Sequence, residues 1–192
     1  MIKCYIGPMF SGKTAALINM YNRIWHKELV KCFKPKIDDR DFGIIKSRDY
    51  ENGINAYCIN DLNEMIKYLD SQTKTVFIDE AQFLTGDINL LLDLSINQNI
   101  DFYISGLSMT SEQKPFGILP DIMAISDEIE IVKGVCYDCN KEANYTYYEG
   151  EKSKDILVGN ANYMCLCASC LAKRRAQNKV QSNKLILKRS KN

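Results

Sequence analysis

One histidine, one tryptophan and four prolines are all that 192 residues contain of these types. The single imidazole, His26, falls near the end of an apolar-periodic segment and reads as a surface residue. Chemistry that needs a histidine base or a histidine-dependent triad is therefore nearly excluded, and a proton acceptor must be a carboxylate or water. No apolar run approaches the ~20 residues of a membrane span. The opening MIKCYIGPMF lacks the apolar stretch and small-residue cleavage site of a secretion signal. With 46% hydrophobic and 26% charged residues, the composition is that of an ordinary globular chain. Membrane, secreted and disordered classes are set aside, and a cytoplasmic location is expected.

A second absence is local. No Asp or Glu follows Asp155, whereas Lys173, Arg174, Arg175, Lys179, Lys184, Lys188, Arg189 and Lys191 do. The overall charge of +1 thus joins an acidic body to a basic end. Such an end can serve a nucleic-acid partner. It carries no aromatic residue for base stacking, so a solvated, flexible tail is the reading preferred over a nucleic-acid site.

Of the eight cysteines, five fall between positions 136 and 170. Cys136-x-x-Cys139 and Cys167-x-x-Cys170 are two knuckles at long separation, the pattern of a closed, structural Cys₄ Zn²⁺ site. Cys165 could compete through Cys165-x-Cys167, but the x-x spacing favours Cys167 with Cys170. A redox dithiol would need only one such pair. Cys4, Cys32 and Cys58 lie in expected strands and read as small core hydrophobes.

Along the chain, residues 2–6 predict a buried strand stopped by Gly7-Pro8. Leu17, Met20, Tyr21, Ile24 and Trp25 predict a helix over 13–28. Strands are expected at 30–33, 75–78 and 102–105, and more weakly at 54–59. Asp61 with Glu64 forms a candidate capping box for a helix to Leu69, and another helix is expected over 88–96. This alternation predicts an α/β fold with a parallel sheet. From about Val135 the composition turns to Cys, Tyr, Asn and Gly, without a helical pattern. The expected division is an α/β domain over 1–134, a zinc-binding subdomain over 135–172 and a basic tail over 173–192.

Residues 7–14, Gly7-Pro8-Met9-Phe10-Ser11-Gly12-Lys13-Thr14, are a G-x-x-x-x-G-K-T phosphate loop between an expected strand and an expected helix. Glycines let backbone N–H groups turn inward around phosphate oxygens, and the helix start adds its positive dipole end. Lys13 brings a cation to the β- and γ-phosphates of ATP, and Thr14 a hydroxyl to Mg²⁺. Residues 75–80, TVFIDE, deliver Asp79 and Glu80 to a carboxyl edge of the sheet, where open α/β folds bind ligands. Neighbouring strand side chains point opposite ways. One carboxylate can then serve the metal while the other faces a nucleophile.

GPMFSGKT at 7–14, KPKIDDR at 34–40, FIDEAQF at 77–83, KPFG at 114–117, the two knuckles and VGNANY at 158–163 together resemble the zinc-containing thymidine kinases shared by bacteria, poxviruses and animal cytosol. The resemblance spans about residues 2–170. It implies ATP:thymidine phosphotransfer on a RecA-like α/β domain, a zinc-bearing lasso over the nucleoside, a homotetramer and dTTP as feedback inhibitor. Glu80 matches the family's base for the 5′-hydroxyl, and Asp79 its acidic-strand position. Asp38 and Arg40 match a D-x-R whose arginine sits near the transferring phosphate. Met9, Phe83, Leu107 and Phe116 match the base pocket. Thr146 and Tyr163, with backbone groups around Ile156, Leu157 and Val158, match the lasso's grip on base and sugar.

The chain also departs from the pattern. In GLSMTSEQKPF, Ser108 stands where relatives have Asp and Ser111 where they have an aromatic residue, and Arg48 replaces a common His. These changes bear on base selectivity more than on catalysis. Beside the thymidine kinase reading stand a kinase of drifted base preference, a nucleotide-binding protein without turnover, and an ATPase stimulated by nucleic acid.

Overall fold

The structure is a computed structural model describing residues 1–38, 42–48, 52–150 and 162–189, with side chains through residue 178. Arg40, Ile156, Leu157 and Val158 lie outside the described residues.

The chain alternates strands and helices in the order β1 (Ile2–Ile6), α1 (Lys13–Arg23), β2 (Val30–Pro35), β3 (Ile44–Ile45), β4 (Ile54–Asn55), β5 (Tyr57–Ile59), β6 (Thr75–Ile78), α2 (Asn89–Gln98), β7 (Asp101–Gly106), α3 (Leu119–Ala124) and β8 (Glu128–Ile131). A parallel sheet runs β5-β2-β6-β7-β1-β8, six strands in all. Its central strands β6 and β7 bury apolar residues in succession because both faces are covered there. Ile2, Cys4 and Ile6 of β1 join Val76, Ile78, Phe102 and Ile104 in a core beneath α2 and α3. The intervening Tyr5, Phe77 and Tyr103 join Leu17 and Ile18 of α1 on the other face. Each such side chain, fully buried, contributes roughly 1.5–3 kcal/mol. The fold is therefore mixed α/β, as its alternation predicts.

Three local expectations give way. Helix α1 stops at Arg23: Ile24 is extended, its N–H closing on the Tyr21 carbonyl, and Trp25 is 93% exposed. The apolar period therefore overran the helix into a solvated turn. The segment after Asp61 is a 3₁₀ helix over Leu62–Lys67 capped by the Asp61 side chain on Asn63 N–H. Glu64 reaches the N–H of Asn60 instead of closing a box on Asp61. The third concerns the region past Val135, where no helix was expected.

There, β9 (Gly134–Val135) pairs with β10 (Glu142–Ala143), and β11 (Tyr145–Tyr148) with β12 (Tyr163–Leu166), before α4 (Ala168–Arg189). α4 runs 22 residues and takes in most of the basic end. Cys136, Ala143, Tyr147, Met164, Leu166 and Leu171 form a small core of their own. Arg174 holds α4 against it, donating Nε and Nη2 to the two Asp138 oxygens at 2.8 and 2.6 Å and Nη1 to Glu149 at 2.6 Å. Asn178 adds a 2.7 Å bond to the Tyr147 hydroxyl.

Candidate active site

The phosphate loop leaves the carboxyl end of β1, Asp79 and Glu80 leave that of β6, and β7 lies between them. Gly7 passes so close to the backbone that a Cβ there would stand 2.1 Å from the Val132 carbonyl oxygen. Gly12 has nothing within 4 Å; its requirement is conformational, φ +89° as the chain enters α1. Lys13 is buried and donates Nζ to the Pro8 carbonyl at 2.7 Å. Burial pushes its ammonium below the ordinary lysine range, against the opposing pull of Glu80 and Asp79. The Ser11 hydroxyl is buried with no hydrogen-bond partner among the described residues. An orphaned hydroxyl in this loop fits a phosphate oxygen.

Thr14 Oγ1 donates to the Asp79 carboxylate, 3.3 and 3.2 Å from its two oxygens, and the Ser105 hydroxyl of β7 makes a very short bond to the same group. Desolvation, reinforced by the neighbouring Glu80 charge, raises the Asp79 carboxyl to about 6. A hydroxyl and a carboxylate facing each other in a dry site form a hard-oxygen pair that fits Mg²⁺. A cation there would favour the ionised form and reverse the shift.

Glu80 turns away. Its φ of 52° places a non-glycine residue in the left-handed region, a conformation of roughly 1–3 kcal/mol that is retained where the surroundings fix it. Its carboxylate accepts Gln82 Nε2 at 2.6 Å, while Gln82 Oε1 accepts the Leu107 N–H at 2.9 Å. Neither Gln82 nor Ser105 stood out in the sequence. Gln82 sits inside FIDEAQF and could have been singled out there; Ser105 has no motif, only its place on β7.

Of the residues expected around the base, Phe83 and Phe116 meet edge to face with centroids 5.3 Å apart, and Leu107 is buried. Thr146 of β11 is buried and accepts the Met9 N–H at 2.9 Å through its hydroxyl, joining the phosphate loop to the cysteine-rich region. Tyr163 packs on Tyr148 at 4.8 Å. Pro8, Met109, Gln113 and Thr146 line a small cleft. Gln113 bridges the Ser111 and Thr146 carbonyls at 2.6 and 3.0 Å. Ser111 contributes a hydroxymethyl at the position where the family pattern has an aromatic residue. Asp38 is buried beside Lys34 at 3.1 Å, and the exposed Arg48 lies over the Phe10 ring at 4.7 Å.

The sulfurs of Cys136, Cys139, Cys167 and Cys170 lie within 4.8 Å of one another. Cys139 and Cys167 are 3.7 Å apart. A tetrahedron of Zn–S bonds of ~2.3 Å has edges of about 3.8 Å, so the four thiols fit Zn²⁺. The Ser169 hydroxyl, with backbone N–H groups, lowers the Cys167 thiol to about 6, while the bond with Cys167 raises Cys170 to about 12. Cys165 stays out of this group: it is buried and desolvation raises it to about 11.

A family model described as thymidine kinase matches residues 1–171. The chain belongs to the thymidine kinase family. It is 35% identical to a thymidine kinase of Onion yellows phytoplasma (strain OY-M), covering 89% of this chain and 87% of that one. It is 33% identical to that of Bacteroides fragilis (strain YCH46), over 94% and 92%, and 30% identical to that of Mycoplasma mobile, over 97% and 94%. Membership of this family makes it a kinase of the nucleoside type, one that uses ATP with Mg²⁺. No helix among the described residues is long and apolar enough to cross a membrane.

Proposed function

We propose that the chain transfers the γ-phosphoryl group of ATP to the 5′-hydroxyl of thymidine, giving dTMP and ADP. The observation that carries this is that the two adjacent acids have different partners: Asp79 meets the Thr14 hydroxyl of the phosphate loop, and Glu80 accepts from the Gln82 amide. A nucleotide-binding protein needs the first arrangement; a strained second carboxylate with its own support suits a base for an acceptor hydroxyl.

In this reading the backbone of residues 7–12 and the Ser11 hydroxyl cradle the phosphates, and Lys13 leaves the Pro8 carbonyl to neutralise them. Thr14 and Asp79 hold Mg²⁺, which supplies charge neutralisation when bound. Glu80 orients the 5′-hydroxyl and takes its proton as the oxygen bonds to the γ-phosphorus. The bond from that phosphorus to the bridging oxygen breaks, and ADP leaves. The transition state is loose, so positioning and charge carry most of the rate. Arg40 adds charge at the transferring group. Met9, Phe83, Leu107, Phe116, Thr146 and Tyr163, with backbone around 156–158, hold the nucleoside. The four-cysteine site holds structural Zn²⁺. A cytoplasmic homotetramer and feedback by dTTP complete the proposal, supported by resemblance to the family.

The direct test is ATP turnover with each deoxynucleoside in turn, with and without DNA. Thymidine is expected to give the highest kcat/KM. Turnover without any nucleoside and stimulated by DNA would replace this reading with the ATPase.

Ser111 gives a sharper test. An aromatic–base contact is worth about 1–3 kcal/mol by truncation, and ~1.4 kcal/mol is tenfold. Ser111→Phe is therefore expected to lower thymidine KM by roughly one to two decades with little change in kcat, because the contact serves ground and transition states alike. An unchanged or raised KM would mean that Met109 and Gln113 have rebuilt this wall.

A further inference from the structure

We infer that Gln82 is a positioning residue for the Glu80 carboxylate, an inference that rests on Glu80 being the base. Gln82 is 2% exposed, deep enough that an unpaired amide would be costly. Both ends of its amide are committed: Nε2 donates to Glu80 Oε2 at 2.6 Å, and Oε1 accepts from Leu107 N at 2.9 Å. The orientation is fixed by chemistry. A backbone N–H can only donate, so it must meet Oε1, and the NH₂ group is left for an acceptor.

Two glycines on separate segments make room for this residue. A Cβ on Gly106 would lie 2.3 Å from Gln82 Oε1, and one on Gly117 1.9 Å from the Gln82 carbonyl oxygen. Gly117 also has φ +55°, so a side chain there would be strained as well as crowded. The exit of β7 and the end of the 108–116 loop thus both close on Gln82. Through Leu107 and Phe116 these segments carry part of the nucleoside wall. Gln82 therefore fixes the carboxylate relative to the pocket that would hold the acceptor hydroxyl. Because its donor is a neutral amide, it does so without placing a competing cation beside the base. Glu80 is held at a positive φ, and the Gln82 amide is a partner that directs its carboxylate from there.

The test is a double-mutant cycle on the full-length chain with saturating ATP and varied thymidine at about pH 8, with thermal midpoints recorded alongside. Gln82→Met removes both polar ends at similar volume. Gln82→Glu keeps an oxygen for the Leu107 N–H but removes the donor. Each is expected to lower kcat about 10- to 100-fold with KM for both substrates within about threefold, the penalty of a catalytic group displaced by about an ångström. In the Glu80→Gln background the same Gln82→Met change should alter kcat by less than about twofold, because the residue acts through the carboxylate. An equal fold loss in both backgrounds, or wild-type kcat in Gln82→Glu, overturns the inference and leaves Gln82 as a structural prop. If Gln82→Met does not fold, Gln82→Glu carries the same cycle. Wild-type kcat in Glu80→Gln alone would instead remove the base assignment beneath it.

Discussion

Glu80→Gln is expected to keep ATP binding and fold while losing turnover by roughly 10²–10⁴-fold, the usual contribution of a positioned general base. The substitution is nearly isosteric. The glutamine can still offer an oxygen to Gln82 Nε2, so the bond that orients the side chain survives while the proton acceptor does not. Among the described residues, His26 and Asp79 are the first alternatives, and both are engaged elsewhere. His26 is exposed and pairs with Glu28. Asp79 is occupied by Thr14 and Ser105. Calorimetric titration with ATP should therefore match the wild type while kcat with thymidine falls. A loss below about tenfold would hand the proton to Asp79, or show that transfer needs no base.

The residues of this site are unequally visible in the sequence. The phosphate loop is legible because its chemistry is local: Gly7 and Gly12 are demanded by a close approach and a positive φ within a few residues of Lys13. Asp79 and Glu80 are legible for the same reason, as the end of an unmistakable strand. Strand alternation predicts that they take different partners, but β6 ends at Ile78, and it is a left-handed turn at Glu80, which no residue type announces, that separates them. Ser105 reaches Asp79 only because the sheet order inserts β7 between β1 and β6. Gln82 acquires its second partner from Leu107, whose N–H arrives from the end of that same inserted strand.

Two elements that the sequence did not announce, β8 and α4, are held largely by something other than an apolar period. Strand β8 reads Glu128-Ile129-Glu130-Ile131, and all four residues are exposed. It is an edge strand held by pairing with β1 and by Lys3, whose Nζ lies 2.7 Å from Glu128 and 3.1 Å from Glu130. α4 begins on the second cysteine knuckle and is tied down by Arg174, so charge and thiol chemistry take the place of a hydrophobic stripe. Trp25 is the converse case, a large apolar side chain that continued the period of α1 after the helix had ended.

One Zn²⁺ per chain is expected by metal analysis, and Cys170→Ser or Cys139→Ser should remove it. Beside its small core and the Arg174 bonds, the cysteine-rich region has little regular structure to stand on. Its strand pairs are short, β9 with β10 over two residues each and β11 with β12 over four. Isolated pairs of this size are marginal in water. A structural Zn²⁺ site supplies an apparent ~10–16 kcal/mol in small domains, an amount that here decides whether the segment is ordered. Loss of the ion should therefore raise hydrogen exchange across residues 136–170 and leave β1, β6 and β7 protected. Activity should suffer through Thr146: its bond to the Met9 N–H links β11 to the phosphate loop, so thymidine KM should rise more than ATP KM. Cys165→Ser is the control. Its sulfur lies against Gly134, where a Cβ would stand only 2.6 Å away, and outside the four-thiol cluster. Serine there should keep full zinc content. Full retention by Cys170→Ser together with loss by Cys165→Ser would mean that Cys165, and not Cys170, completes the tetrahedron.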